Sequence, residues 1–80
     1  MTALKRLLKL GCTTLTVAED VEGQIYVHYT GADVKDGIML RGVSGRGGTV
    51  EEACQDYLDQ ISGKTLVIDA FGTRREVTVL

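Results

Sequence analysis

Leu40-Arg41-Gly42-Val43-Ser44-Gly45-Arg46-Gly47-Gly48-Thr49-Val50-Glu51-Glu52-Ala53-Cys54 decides the fold of this chain. A strand-like run enters a glycine-rich loop, and the loop opens directly into an amphipathic helix. Val50, Ala53, Cys54, Tyr57, Leu58 and Ile61 recur at helical spacing and make one continuous apolar stripe. Thr49 and Glu52 have the spacing of a capping box, in which two side chains satisfy backbone donors at the helix start. Glu51 and Glu52 suit the positive end of the helix dipole. Gly63 stands where a left-handed residue ends a helix. Gln55, Asp56, Asp59 and Gln60 form the solvated face.

Strand signals lie on both sides of this helix. Residues 13–18 and 24–29 alternate polar and apolar, with Ile25, Val27 and Tyr29 on one face. Residues 30–37 hold Gly31, Asp33, Asp36 and Gly37, which are turn formers. Residues 37–43 read as a third strand, and short connections imply an antiparallel meander. After the helix, residues 64–70 are apolar on both faces, as expected of a central strand. A turn at 71–74 returns the chain as a last strand over 75–80. Ahead of all this, Leu4, Leu7 and Leu8 share one face of a short basic helix over residues 1–11, with Thr2 as its cap and Gly11 as its stop. Such a helix is not stable alone and must dock on the sheet or on a partner subunit. The order α-β-β-β-α-β-β predicts one α+β domain over 1–80, with the main helix on one face of a mostly antiparallel sheet.

Composition narrows the function classes. Eighty residues bury only about 60% of their unfolded surface. Aromatic residues are few, so self-association is an expected source of added stability and a homo-oligomer is expected. The net charge of −2 argues against a general nucleic-acid binder. Arg41, Arg46, Lys64, Arg74 and Arg75 can still form a local basic patch. Cys12 and Cys54 show no metal-ligand spacing, and Cys54 falls on the apolar stripe. No secretory signal or membrane span is visible, so the expected setting is the cytoplasm without membrane contact.

Three features bear on chemistry. The glycine loop at a helix start offers unpaired amides and a positive dipole to an anion. It lacks the lysine of a P-loop and the spacing of a dinucleotide fingerprint. Glu51 and Glu52 oppose an anion seated deep over the helix, and the same string also serves as a plain strand-to-helix turn. His28, the only histidine, lies out of phase with Ile25 and Val27. Asp69 and Thr16 are the residues able to share its face, but pairing across strands is not fixed by sequence. An exposed strand histidine without a catalytic role is expected, so no enzymatic activity and no cofactor are expected. The sheet face away from the helix, with Tyr26, Met39 and Val67 among polar groups, suits a ligand or a second subunit. The expected core is Leu15, Val17, Ile25, Val27, Ile38, Leu40, Leu66, Ile68, Val77 and Val79.

Two resemblances follow from these residues. Gly42-x-x-Gly45-Arg46-Gly47-x-Thr49-x-Glu51-Glu52-Ala53, after strands and before a helix to Ile61, resembles the pattern of HicB-type antitoxins. Residues 24–80, through Lys35-Asp36-Gly37-Ile38-Met39-Leu40-Arg41-Gly42, Thr49 to Tyr57 and Ile61 to Val67, are similar to small phage and prophage proteins. That likeness implies an accessory, counter-defence protein that binds rather than catalyses. The expectation is a binder of a small phosphate-bearing or nucleotide ligand. Ser44, Gly45, Arg46, Gly47, Gly48 and Thr49 would seat the phosphate, Arg41 and Lys64 would add charge, and Tyr26 or Tyr29 would stack a base. The alternative is a protein–protein inhibitor or antitoxin-like module that plugs a host or toxin protein.

Overall fold

The computed structural model describes residues 2–79. Met1 and Leu80, read from sequence as the start of the first helix and the end of the last strand, lie outside the described residues. The elements are α1 (Thr2–Leu10), β1 (Leu15–Glu19), β2 (Ile25–Tyr29), β3 (Ala32–Asp36), β4 (Met39–Arg41), β5 (Gly45–Gly47), α2 (Val50–Ile61), β6 (Thr65–Ile68) and β7 (Arg75–Thr78). This is the predicted α+β class, with strands between and after two helices. The strands form two sheets, β1-β2-β5 and β4-β3-β6-β7. Every pairing is antiparallel.

The helix stripe organises the core. Ala53, Cys54, Tyr57, Leu58 and Ile61 are buried, and they pack with Val27, Tyr29, Leu66, Ile68 and Val79. Burying one leucine or isoleucine fully stabilises by about 1.5–3 kcal/mol. Tyr29 and Tyr57 meet edge to face with ring centroids 5.7 Å apart. Their hydroxyls are satisfied: Tyr29 Oη donates to the Leu7 carbonyl at 2.6 Å, and Tyr57 Oη accepts the Tyr29 amide at 3.1 Å. Buried hydroxyls without such partners would cost more than these bonds contribute.

The glycines of β5 let α2 lie directly on the sheet. A β-carbon at Gly45 would stand 2.5 Å from the Tyr57 nitrogen, and one at Gly47 would stand 2.6 Å from the Glu52 β-carbon. Helix backbone therefore occupies the space that side chains would need. Thr49 caps α2 by accepting the Glu52 amide at 3.1 Å. The Glu52 carboxylate returns to the Thr49 hydroxyl at 3.2 Å, where a full capping box would take the Thr49 amide.

Several expectations change. Residues 30–37 hold two turns with a strand between them. Gly31 and Gly37 have φ of +73° and +63°, and Ala32 and Val34 point into the core between them. Within the glycine loop, Gly45–Gly47 form a strand. One expected sheet is two, because the chain leaves β4 for a β5 that pairs with β2. Val17 is half exposed, Ile38, at the β3–β4 turn, is fully exposed, and Leu40 pairs with Lys35 on the face away from Val34, so none of the three belongs to the core. Val67 is buried on the opposite face, where the Lys35–Glu76 ion pair reaches across β6. The first helix docks on α2. Its first turn is capped by both Glu51 oxygens, at 2.6 and 2.9 Å from the Ala3 nitrogen, and Thr2 is already helical.

Candidate functional site

Register at the β3–β4 hairpin brings charge together. Val34 pairs with Arg41 and Asp36 with Met39. The two-residue period of a strand then places Val34, Asp36 and Arg41 on one face. Beside them the chain passes through Val43 to Ser44, whose carbonyl accepts the Gln60 side-chain amide at 2.8 Å. Gln60 also donates to Asp56 at 3.1 Å, so its head is held from two sides. Lys64 follows the end of α2. Its amide donates to the Ile61 carbonyl at 3.0 Å, and its carbonyl accepts the Val79 amide at 2.8 Å. These pieces enclose a groove of about 250 Å³ lined by Val34, Lys35, Asp36, Arg41, Val43, Gln60 and Lys64.

The cations of this groove differ in how far they are engaged. Arg41 Nη1 lies 3.6 Å from Asp36 Oδ2, with both side chains about two-thirds exposed. Such a pair is worth about 0–1 kcal/mol. Lys64 is exposed, and no carboxylate of the described residues lies within ion-pair distance of it. Lys35 belongs to the opposite face, where its ammonium is 3.2 Å from Glu76 Oε1. That hydrogen bond and charge hold the Glu76 carboxyl below the usual range. Arg41 and Lys64 are thus the cations that serve the groove.

The residues expected to form one phosphate seat are divided between three places. Arg41 and Lys64 meet at the groove, and Ser44 borders it through its carbonyl. Gly45 and Gly47 are packed against α2. The Arg46 amide donates to Asp56 Oδ2 at 2.8 Å, so the chain's own carboxylate holds the place intended for phosphate. The Thr49 hydroxyl is taken by the cap, and Gly48 is exposed at the loop. Tyr26 lies across from Arg46 and Ala18 on the open face of the first sheet, with its hydroxyl 3.2 Å from Asp20 Oδ2. Asp20 also accepts the amides of Gln24 and Glu22, and these bonds lower its carboxyl below the usual range. Tyr29 is buried under α1 and cannot stack a ligand. His28 shares the open face with Tyr26, opposite Thr16.

Sequence reading missed Val34, Lys35, Asp36, Val43 and Gln60 as groove residues. Their one available signal was the positive-φ turn at Gly37, which folds Asp36 back toward Arg41. Among the described residues no three His, Cys, Asp or Glu side chains gather as metal ligands would. No described helix is long and apolar enough to cross a membrane. No protein-family model matches the chain, and neither the curated proteins nor the solved structures include a match to it.

Proposed function

We propose that this chain is a non-enzymatic binding protein for a small phosphate-bearing ligand, held at the groove of Arg41 and Lys64. The observation that carries the reading is the meeting of these two lightly engaged cations at one groove on a chain of net charge −2. Guanidinium matches phosphate with two parallel hydrogen bonds, and an ammonium adds a point charge. A volume of about 250 Å³ is below the about 300–1,000 Å³ of pockets that enclose a drug-sized ligand. The groove therefore takes the charged group and leaves the rest of the ligand outside. A counter-defence setting for such capture is part of the same proposal and rests only on the resemblance read from residues 24–80.

Thermal melting with inorganic phosphate and a panel of linear and cyclic nucleotides tests the reading. A ligand at 100 times its dissociation constant adds about 2.7 kcal/mol of stability. Arg41→Ala and Lys64→Ala should remove the shift, and Arg46→Ala should keep it. No shift with any member of the panel ends the proposal.

The inhibitor-like alternative has its own support. Ile38 is fully exposed and Met39 is 66% exposed, side by side at the β3–β4 turn. A stoichiometric protein partner lost on Met39→Ala and kept on Arg41→Ala would favour that reading over the first.

A further inference from the structure

We infer that the groove takes a terminal phosphate carrying two charges, and that this phosphate displaces Asp36 from Arg41. The inference rests on the groove being the anion site proposed above. In the free protein Arg41 already has an anion near it, the Asp36 carboxylate at 3.6 Å. Asp36 is tethered by its own strand, so it holds that place without the cost of immobilising a free molecule. An incoming anion of one charge exchanges one such contact for another and must supply its own ordering cost. A phosphomonoester brings a second charge, which Lys64 is placed to meet while the first stays on Arg41.

Displacement is easy on the protein side. The Asp36 side chain is 64% exposed. Among the described residues it is engaged by the Arg41 guanidinium at 3.6 Å, beyond hydrogen-bond distance. The charged groups facing the groove are Asp36 from β3, Arg41 from β4 and Lys64 from the segment after α2. Gln60 faces it from α2 as a neutral amide, and the Lys35 ammonium is drawn to Glu76 on the other face.

Titration of the full chain with methyl phosphate and dimethyl phosphate, followed by amide NMR at fixed ionic strength, tests this. At pH 8 methyl phosphate carries two charges, since its second pKa is about 6, and it should bind more tightly than the singly charged dimethyl phosphate. Between pH 8 and pH 5 methyl phosphate should lose that advantage while dimethyl phosphate is little changed. Asp36→Asn should tighten methyl phosphate about two- to fivefold, the fold-change an exposed charge pair is worth. Equal binding of the two esters at pH 8, or an Asp36→Asn affinity no tighter than the parent's, overturns the inference. If binding is still lost on Arg41→Ala in that case, the groove stands as an anion site and only this refinement falls. Binding of neither ester to either protein removes both readings. An unaltered amide spectrum of Asp36→Asn outside residues 34–43 shows that the variant is folded, and the pH comparison needs no variant.

Discussion

Replacing Gly45 with alanine separates two explanations of the glycine loop, helix packing and anion seating. The added β-carbon would stand 2.5 Å from the Tyr57 nitrogen and 2.6 Å from the Tyr57 β-carbon, with the Ala53 carbonyl oxygen closer still. Ordinary contact begins near 3.4 Å, so α2 must retreat by about 1 Å. Neither neighbour can give, because both are helix backbone and Ala53 and Tyr57 are fully buried. Overpacking costs about 1–3 kcal/mol, occasionally more, and a backbone clash belongs at the upper end. A cost of about 3 kcal/mol lowers the melting temperature of a domain this size by roughly 12–24 °C. Gly48→Ala is the control. Its nearest foreign atom would be the Glu52 carboxylate at 4.0 Å, and its stability should stay within about 0.5 kcal/mol of the parent. Urea unfolding followed by far-ultraviolet circular dichroism reads both, with equal denaturant slopes required for the comparison. A Gly45→Ala protein melting within about 4 °C of the parent refutes close packing of α2 on β5. The loop amides would then again be candidates for an anion seat.

Three further outcomes follow from the same contacts. Thr49→Ala should destabilise by about 1 kcal/mol in urea, the usual value of a lost cap. Glu51→Ala removes both acceptors of the Ala3 amide, so hydrogen exchange over residues 3–10 should accelerate while the core of α2 keeps its protection. Alkali should unfold the protein progressively. Burial raises the Cys12 and Cys54 thiols above their ordinary 9.0 and the Tyr29 and Tyr57 phenols above their ordinary 10.0. The folded state therefore holds these protons more tightly than the unfolded chain. Their contribution is complete below pH 9 and is lost as pH rises toward the folded-state values. A urea midpoint unchanged between pH 8 and pH 11 would contradict this.

Local patterns were the legible part of this fold. The stripe from Val50 to Ile61, the Thr49 cap and the Gly63 stop each depend on residues within a few positions of one another, and all three are present. The central place of β6 was also readable, because Leu66, Val67 and Ile68 leave no polar face. Long-range pairing was not readable. Nothing local says that Gly45 joins Val27 rather than extending the hairpin of Met39 to Arg41, and that one choice turns a single sheet into two. Of the four turn formers expected at 30–37, Gly31 and Gly37 do sit in turns, but Asp33 and Asp36 lie in β3, because the two glycines are far enough apart to hold a five-residue strand. For the groove, residue type led to Arg41 and Lys64. Asp36 and Gln60 become visible only when β3 is recognised and α2 is set against Ser44.

The glycine loop still serves the groove, by an indirect route. Because Gly45 and Gly47 carry no side chains, β5 lies against α2, and the chain just before β5 is brought to the far end of the helix. There Gln60 reaches the Ser44 carbonyl, and Asp56 holds both Gln60 and the Arg46 amide. Val43 and Gln60, two walls of the groove, are thus placed by contacts at residues 44–47. A side chain at Gly45 would push α2 outward and move Gln60 away from Arg41. Gln60→Ala loosens the same link without a clash. It should weaken anion binding at the groove while removing neither cation and changing no charge, because position is what the neutral Gln60 amide supplies.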